Sequence, residues 1–426
     1  MRTGVRTYDV LVVGAGPFGL GMAALASSVP GLDVVVLEAS DGPAWHPGLL
    51  FDDASLQVSF LADLVSLVDP THPLSFLAYL REHDRLYQFY VRERFHPSRR
   101  EYADYLAWAA ARLPSVHFGR RVTRMVWDAD AAQFEVSTPG NTYRAHNVVL
   151  GVGTEPHIPD ALAGLPPGRL LHSADYLHRL ADIEAAGEVT VVGSGQSGAE
   201  VVLDLLRRGR SLSWLTRTAS FAPLDYSKLV LEMTTPDYVR YFHQLAPERR
   251  DELVAAQWQH YKGIDTDTID ALHELLYQRE LADTPAPVEL RCGVAVESTR
   301  LVDDRVLLCC RHVDTDTRFS RLTDLVVAAT GYVSREPAFL SPLASLVRRD
   351  CLGRFRVRAD HSIELAEAVT GRLFVLNADL HSHGAAAPDL GFGAVRNATV
   401  LNSVLGREVF RLPRRTAFTS FAIPPG

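Results

Sequence analysis

Residues 8–20, YDVLVVGAGPFGL, carry a β-branched run into Gly14-x-Gly16-x-x-Gly19. An alanine-rich helical pattern, GMAALASSV, follows, and a second apolar strand from Leu32 to Leu37 ends at Glu38. Strand, glycine turn, helix, strand and acid stand in the register of a dinucleotide-binding βαβ unit. The glycines permit a tight turn and close approach of a pyrophosphate to a helix N-terminus, and the acid takes the ribose hydroxyls. Gly14, Gly16, Pro17, Phe18, Gly19 and Glu38 are the residues expected at this first site.

The signature recurs at 189–200, VTVVGSGQSGAE, as Gly193-x-Gly195-x-x-Gly198 with Gln196 and Ser197 between. The strand after this helix, SLSWLTR, ends in Arg217 instead of an acid. A cation there suits the 2′-phosphate of NADP as an acid suits an unphosphorylated ribose; the other reading is a solvated arginine at a strand end. Two fingerprints in one chain imply two dinucleotides, of which FAD first and NADPH second is the natural pair. The runs NVVLGVG (147–153) and DLVVAATGY (324–332), the latter turning at Thr330 and Gly331, both read as buried strands returning to the first sheet. The fold class expected is therefore α/β, with two Rossmann-like domains and the second inserted into the first. Residues 1–180 and 331–426 form the FAD domain, and 181–225 with 285–330 the NADPH domain. Helical patterns such as PDYVRYFHQL and TIDALHELLYQREL make residues 226–284 a small helical substrate insert.

Composition sets the class and excludes others. The 426 residues are 47% hydrophobic and 22% charged, ordinary for a globular chain of two or three domains. A net charge of -8 with no basic block argues against nucleic acid. Residues 1–8 run into a strand without a signal-peptide apolar region, and no segment is long enough to cross a bilayer. Cys292, Cys309, Cys310 and Cys351 lack ligand spacing and fit a reducing compartment. His381 and His383 have no cysteine or acid cluster beside them, so no metal site is expected. A cytoplasmic protein is the expectation. Residues 57–65, QVSFLADLV, read in isolation as a buried helix start.

The combination of GAGPFG, GSGQSG and DLVVAATGY resembles the class B flavoprotein monooxygenases. Within them it resembles the microbial N-hydroxylating enzymes that oxidise the terminal amine of lysine, ornithine or a diamine in siderophore synthesis. The likeness runs through Trp45-His46-Pro47, DPTHPLSFLAYL, SRREYADYLAWAA and HSHGAAAPDLGFGAVRNATVLNSVLGREVF. It implies that the first glycine loop and Glu38 hold FAD. His46 and Gln57 would lie beside the flavin with Trp45, and the turn Asp389-Leu390-Gly391 would approach from the other side. Gly193, Gly195, Gln196 and Ser197 would hold NADPH with Arg217. Taken alone, His46 also reads as a satisfied loop histidine, Gln57 as a capping amide and Trp45 as packing. The implied chemistry is the cofactor's: NADPH reduces FAD, oxygen adds to give a flavin C4a-hydroperoxide, and a neutral amine attacks it. A dry pocket favours the neutral amine and excludes water, so no nucleophilic triad and no obligatory side-chain base are expected.

Amino-acid-specific members of that family place a lysine five residues after the glutamine equivalent to Gln57, and its ammonium pairs with the substrate carboxylate. That position is Ala62. An asparagine of the ornithine-type enzymes aligns with Leu231, before Glu232, and a second with His260, before Tyr261. A serine near the C-terminal loop is replaced by Gly391. A desolvated carboxylate without partners costs several kcal/mol, so these replacements favour a diamine such as putrescine or cadaverine. Glu232, Asp225, Tyr226 and Tyr261 are candidates for its far ammonium. The alternative is lysine or ornithine, with Lys228, Lys262 or Arg240 supplying the missing cation. The partners expected are the amine, oxygen and a second copy in a homodimer or homotetramer.

Overall fold

In the computed structural model, which describes residues 6–282 and 286–423, the apolar runs that flank the glycine turns become the centres of two sheets. Strand Thr7–Val13 pairs in parallel with Val34–Leu37 on one side and with Asn141–Leu150 on the other. Val10, Leu11 and Val12 are wholly buried because helices and loops cover both faces, as a parallel sheet requires. Helices Pro17–Ser27, Arg99–Ala110 and Leu390–Leu405 cover one face. The long strand Asn141–Leu150 turns an antiparallel meander through Gln133–Thr138 to Arg124–Asp128 at its start, and pairs with Arg372–Val375 at its end.

The second sheet is wholly parallel, in the order Val288–Arg291, Ser211–Leu215, Glu188–Val192, Leu325–Ala328, Leu170–His172. Two expectations change here. Leu325–Ala328 pairs with Glu188–Val192, so the DLVVAATGY run belongs to the second sheet; Arg372–Val375 is the strand that returns to the first. Leu170–His172 also lies in the second sheet, although it falls before residue 181. The chain crosses between domains through a two-stranded ribbon in which Glu155–Pro156 meets Tyr332–Val333. The expected boundary at 284–285 lies outside the described residues.

The helical segment divides between the two halves. Ile264 and Leu272, the latter on helix Thr266–Glu280, sit in the core of the second domain. Val239, on Pro236–Gln244, packs instead with Ala386, Phe392 and Val395 of the first. The insert thus bridges both domains. Among the described residues no helix is long and apolar enough to cross a membrane.

Residues 57–65 form turns and no helix. The buried Asp63 carboxylate accepts the N–H groups of Val65, Ser66 and Phe76 and the Ser66 hydroxyl, which ties the chain into local loops that compete with a helix. His381 and His383 also part. His381 Nε2 donates to the Phe355 carbonyl at 2.8 Å. His383 lies buried beside Asp379 and His361, whose Nδ1 is 2.7 Å from an Asp379 oxygen, so an acid only four residues earlier in the chain does stand next to it, against the expectation of none. These three side chains bring potential ligand atoms within 4.8 Å of one another. The buried Arg396 guanidinium supplies positive charge to Asp379 and, with the histidine contacts, holds its carboxyl below the usual range against burial. A neighbouring fixed cation disfavours a further dication, and the cluster reads as a charge-balanced hydrogen-bond network.

Candidate functional site

The two glycine loops are built alike, and their helices start without the side-chain cap that some other helices carry. Helices Arg99–Ala110, Thr266–Glu280 and Leu390–Leu405 are capped by the side chains of Ser98, Asp265 and Asp389. Helices Pro17–Ser27 and Gln196–Arg207 begin at Gly16 and Gly195 with no side-chain cap. Their first N–H groups are left for a ligand, and the helix dipole favours an anion there. Gly14 has φ +102°, and a Cβ on it would stand 2.2 Å from the Gly151 carbonyl oxygen. Gly193 has φ +135°, with a Cβ 2.0 Å from the Ala329 oxygen. A Cβ on Gly16 would meet nothing within 4 Å, so the outer side of the first turn is open space of the kind a pyrophosphate needs. At the end of the neighbouring strand, the Glu38 carboxylate accepts from Ala15 N–H at 2.7 Å and Ser40 N–H at 2.8 Å, which aims it along the turn. Open amides, close-packed inner glycines and a fixed acid fit an adenine dinucleotide.

Beyond the first loop, His46 adopts φ +46° and ψ +48° immediately before Pro47, a strained conformation for a non-glycine residue. Its surface is open to solvent, yet protein surrounds it closely on the other sides, as in the wall of a cleft. That desolvation, reinforced by the Arg99 cation, lowers its pKa to about 4 and leaves a neutral imidazole at neutral pH. Its ring stands 5.1 Å from Trp45 and 5.8 Å from Tyr332. Trp45 in turn meets Tyr102 edge-on at 5.1 Å. Gln57 presents a buried amide nitrogen without a protein partner, a donor available to a bound group. Thr330 donates to the His157 carbonyl, and Gly331 O receives His157 N–H at 2.9 Å. Those two residues fix the crossing ribbon and, through Tyr332, the wall opposite His46.

At the second loop the Gln196 side chain is fully engaged inside the protein. Its Nε2 donates to Glu200 at 2.8 Å and to Thr268 at 3.0 Å, and its Oε1 accepts the Asp265 N–H at 2.8 Å. Only its backbone remains for a phosphate. Arg217 lies two residues past strand Ser211–Leu215, is exposed, and makes no ion pair among the described residues.

The substrate candidates separate. Ala62 is buried, with its carbonyl accepting from Tyr102 Oη at 3.3 Å. A Cβ added to Gly391 would lie 3.8 Å from the Ala62 methyl, 3.8 Å from Leu67 and 2.9 Å from an Asp389 oxygen. The two positions where the sequence lacks a polar group therefore face one another. Glu232 is drawn away: its carboxylate accepts the N–H groups of Phe418 and Thr419, both at 2.9 Å. The Tyr261 hydroxyl donates to Val254 O, and Lys262 lies over its ring. Leu231 and Lys228 are exposed, and Lys228 makes no ion pair among the described residues. The half-buried Tyr226 has its pKa raised by burial and by Asp389. Arg99, Glu200, Tyr102 and Tyr332 were assigned no role from sequence, although the SRREY run that holds Arg99 and Tyr102 was visible.

The L-lysine 6-monooxygenase/L-ornithine 5-monooxygenase family model matches residues 6–334. The putrescine N-hydroxylase of Shewanella oneidensis is 39% identical over 425 residues, covering 97% of this chain and 84% of that protein. The rhizobactin siderophore biosynthesis protein RhbE of Rhizobium meliloti is 40% identical over 433 residues, covering 98% and 95%. Among solved structures, the FAD-bound cadaverine monooxygenase of the desferrioxamine pathway of Erwinia amylovora superposes with a TM-score of 0.94 at 37% identity, covering 99% of this chain and 100% of that one.

Proposed function

Because the chain belongs to the L-lysine 6-monooxygenase/L-ornithine 5-monooxygenase family of NADPH-dependent flavin N-monooxygenases, we propose that it hydroxylates one terminal amine of an aliphatic diamine, putrescine or cadaverine. FAD and NADPH are its cofactors. The product hydroxylamine suits hydroxamate siderophore assembly. The observation that carries the reading is the apposition of Ala62 and Gly391, where a Cβ added to Gly391 would stand 3.8 Å from the Ala62 methyl and where an α-carboxylate would need a cation and a hydroxyl. Relatives named for putrescine and cadaverine support it.

Bound FAD, reduced by NADPH, supplies the oxygen transfer to the amine. This chain's residues bind, orient and exclude water. The open N–H groups at the starts of helices Pro17–Ser27 and Gln196–Arg207 take the two pyrophosphates, and Glu38 takes a ribose. Arg217 takes the 2′-phosphate. The Gln57 amide and neutral His46 border the reacting ring without holding a charge there. A free alkylamine has a pKa of about 10.4, and an apolar pocket lowers it by disfavouring the ammonium. The far ammonium lies toward Asp389 and Tyr226, on the side of Ala62.

The exposed Tyr87, Tyr90, Val91 and Phe95 offer apolar surface to the homodimer or homotetramer proposed here for a cytoplasmic enzyme. Hydroxylamine formation from putrescine, cadaverine, lysine and ornithine tests the assignment. Coupled product from either diamine is expected. Efficient product from lysine or ornithine alone overturns it and points to Lys228 as the compensating cation.

A further inference from the structure

One buried ion pair joins the two dinucleotide domains at the edge of the cleft. Arg99 Nη1 lies 2.8 Å from Glu200 Oε2, with the side chains only 13% and 6% exposed. Arg99 opens helix Arg99–Ala110 of the first domain; Glu200 stands one turn into helix Gln196–Arg207 of the second. The other Glu200 oxygen accepts from Gln196, which reaches on to Thr268 Oγ1 and to the N–H of Asp265. Asp265 caps helix Thr266–Glu280. Backbone contact between Lys262 O and Gly195, at 3.4 Å from an added Cβ, closes the same segment over the second glycine turn. At its other end the Arg99 cation acts on both His46 and Tyr332.

This chain of contacts runs from Arg99 in the first domain through the second domain into the helical segment, touching all three parts of the molecule. An apolar wedge of Leu49, Phe51 and Ala54 in the second domain's core already holds the domains roughly in place. A dry wedge is non-directional, whereas a buried, hydrogen-bonded ion pair fixes distance and angle. Burying two charges is costly, and removal of one leaves the other uncompensated, so such a pair serves better to specify an arrangement than to add stability.

We propose that Arg99, Glu200 and Gln196 act as positioning residues, a relay that sets the second glycine loop and residues 259–268 relative to His46 so that a dinucleotide on the second loop presents its reactive ring to the first. The proposal rests on the FAD and NADPH assignment. It concerns geometry within the complex more than affinity, because the Gln196 amide and both Glu200 oxygens are already bonded within the protein.

The test compares Arg99→Gln, Glu200→Gln, their double variant and Thr268→Val as holoenzymes. Flavin reduction is followed by stopped flow against NADPH concentration, with backbone hydrogen exchange measured in parallel. The expected result for each single charge variant is a limiting reduction rate down at least roughly tenfold, with the half-saturating NADPH concentration changed less than about threefold. The double variant falls no further than the worse single, and Thr268→Val shows a smaller loss of the same kind. Exchange at 259–268 rises, while strand Glu188–Val192 stays protected. Limiting rates within about twofold of the parent, or a rise in half-saturation alone, overturn the relay, the latter making these residues simple NADPH ligands. Independent, additive losses in the double variant also overturn it. If the parent chain is not reduced by NADPH at all, the cofactor assignment fails. The exchange of 259–268 in Arg99→Gln and Glu200→Gln then still decides the relay, which falls if protection is unchanged.

Discussion

On the proposed reading, replacing Ala62 by lysine puts a cation where the far end of the substrate would lie. The Ala62 methyl is 6% exposed and its backbone is held by Tyr102, so the new side chain extends into the cleft toward Gly391, Leu67 and Asp389. An ammonium there competes with the far ammonium of a diamine. At a separation of about 5 Å and an effective dielectric of about 20, two unit charges repel by about 3 kcal/mol, roughly 150-fold in kcat/KM. The Asp389 carboxyl lies within about 7 Å of the Ala62 methyl and offers about 2 kcal/mol to either cation, so the lysine also occupies the acid that the diamine would use. Four added heavy atoms carry a steric cost of about 1–3 kcal/mol besides. Ala62→Met brings most of that bulk without charge and separates the two effects.

The assay is hydroxylamine formation over the four amines, read as the ratio of kcat/KM for putrescine to that for lysine. Methionine is expected to lower both substrates together. Lysine is expected to lower the ratio by a further ~100-fold, partly through new turnover of the amino acid, whose carboxylate gains a partner. Equal ratios in the two variants refute the placement of residue 62 at the substrate's far end.

Three further outcomes follow from the geometry. Gly14→Ala combines φ +102° with a Cβ 2.2 Å from Gly151 O and is expected to lose several kcal/mol and most soluble protein; Gly16→Ala, at φ −67° with nothing within 4 Å, should keep the parent melting temperature yet purify with far less FAD, measured by flavin absorbance. Arg217→Glu should raise the half-saturating concentration of NADPH by tenfold or more, by loss of about 1.4 kcal/mol or more of phosphate binding, and leave NADH kinetics near parental values. Asp237 accepts the N–H groups of Thr416 and Ala417, which with Arg240 hold its pKa below the usual carboxylate range against the upward pull of burial. A depressed folded pKa gives stability that is present above the ordinary aspartate value and lost as pH falls below it through the folded value. Asp237→Asn should therefore cost about 1–2 kcal/mol in urea unfolding at pH 7, and the difference from the parent should shrink toward pH 3.

The βαβ units were legible because several constraints coincide within 30 residues or so: a buried strand, glycines that admit no Cβ, an uncapped helix and a terminal acid or base. The partner of a distant strand was not. In LVVA (325–328) every residue is fully or nearly buried, so the run has no polar face to indicate which sheet it joins. The turn at 57–65 was hidden for another reason. Its apolar run has helical character, and one aspartate with four acceptor contacts overrides it. Gln196 and Glu232, expected at ligands, instead accept protein N–H groups that lie 69 to 187 residues away. The Arg99–Glu200 pair, 101 residues apart, exists only once two domains meet.

The apposition of Ala62 and Gly391 changes the weight of the substrate argument in a way that neither residue does alone. An alanine or a glycine at one position is compatible with almost any neighbour. Two missing polar groups that share one small volume, 329 positions apart in sequence, leave an α-carboxylate without its cation and without its hydroxyl at the same end. The pair also predicts coupling. Gly391→Ser sets a Cβ 2.9 Å from the Asp389 oxygen that accepts Gly391 N–H, so alone it strains the cap of helix Leu390–Leu405 and should slow every substrate alike. Combined with Ala62→Lys, which draws the Asp389 carboxylate away, the serine should recover activity toward lysine but not toward putrescine. A double-mutant cycle with a coupling energy of about 1 kcal/mol or more for lysine and near zero for putrescine is the expected result. Coupling of equal size for both substrates would show that the two positions communicate through packing and not through the substrate's carboxylate.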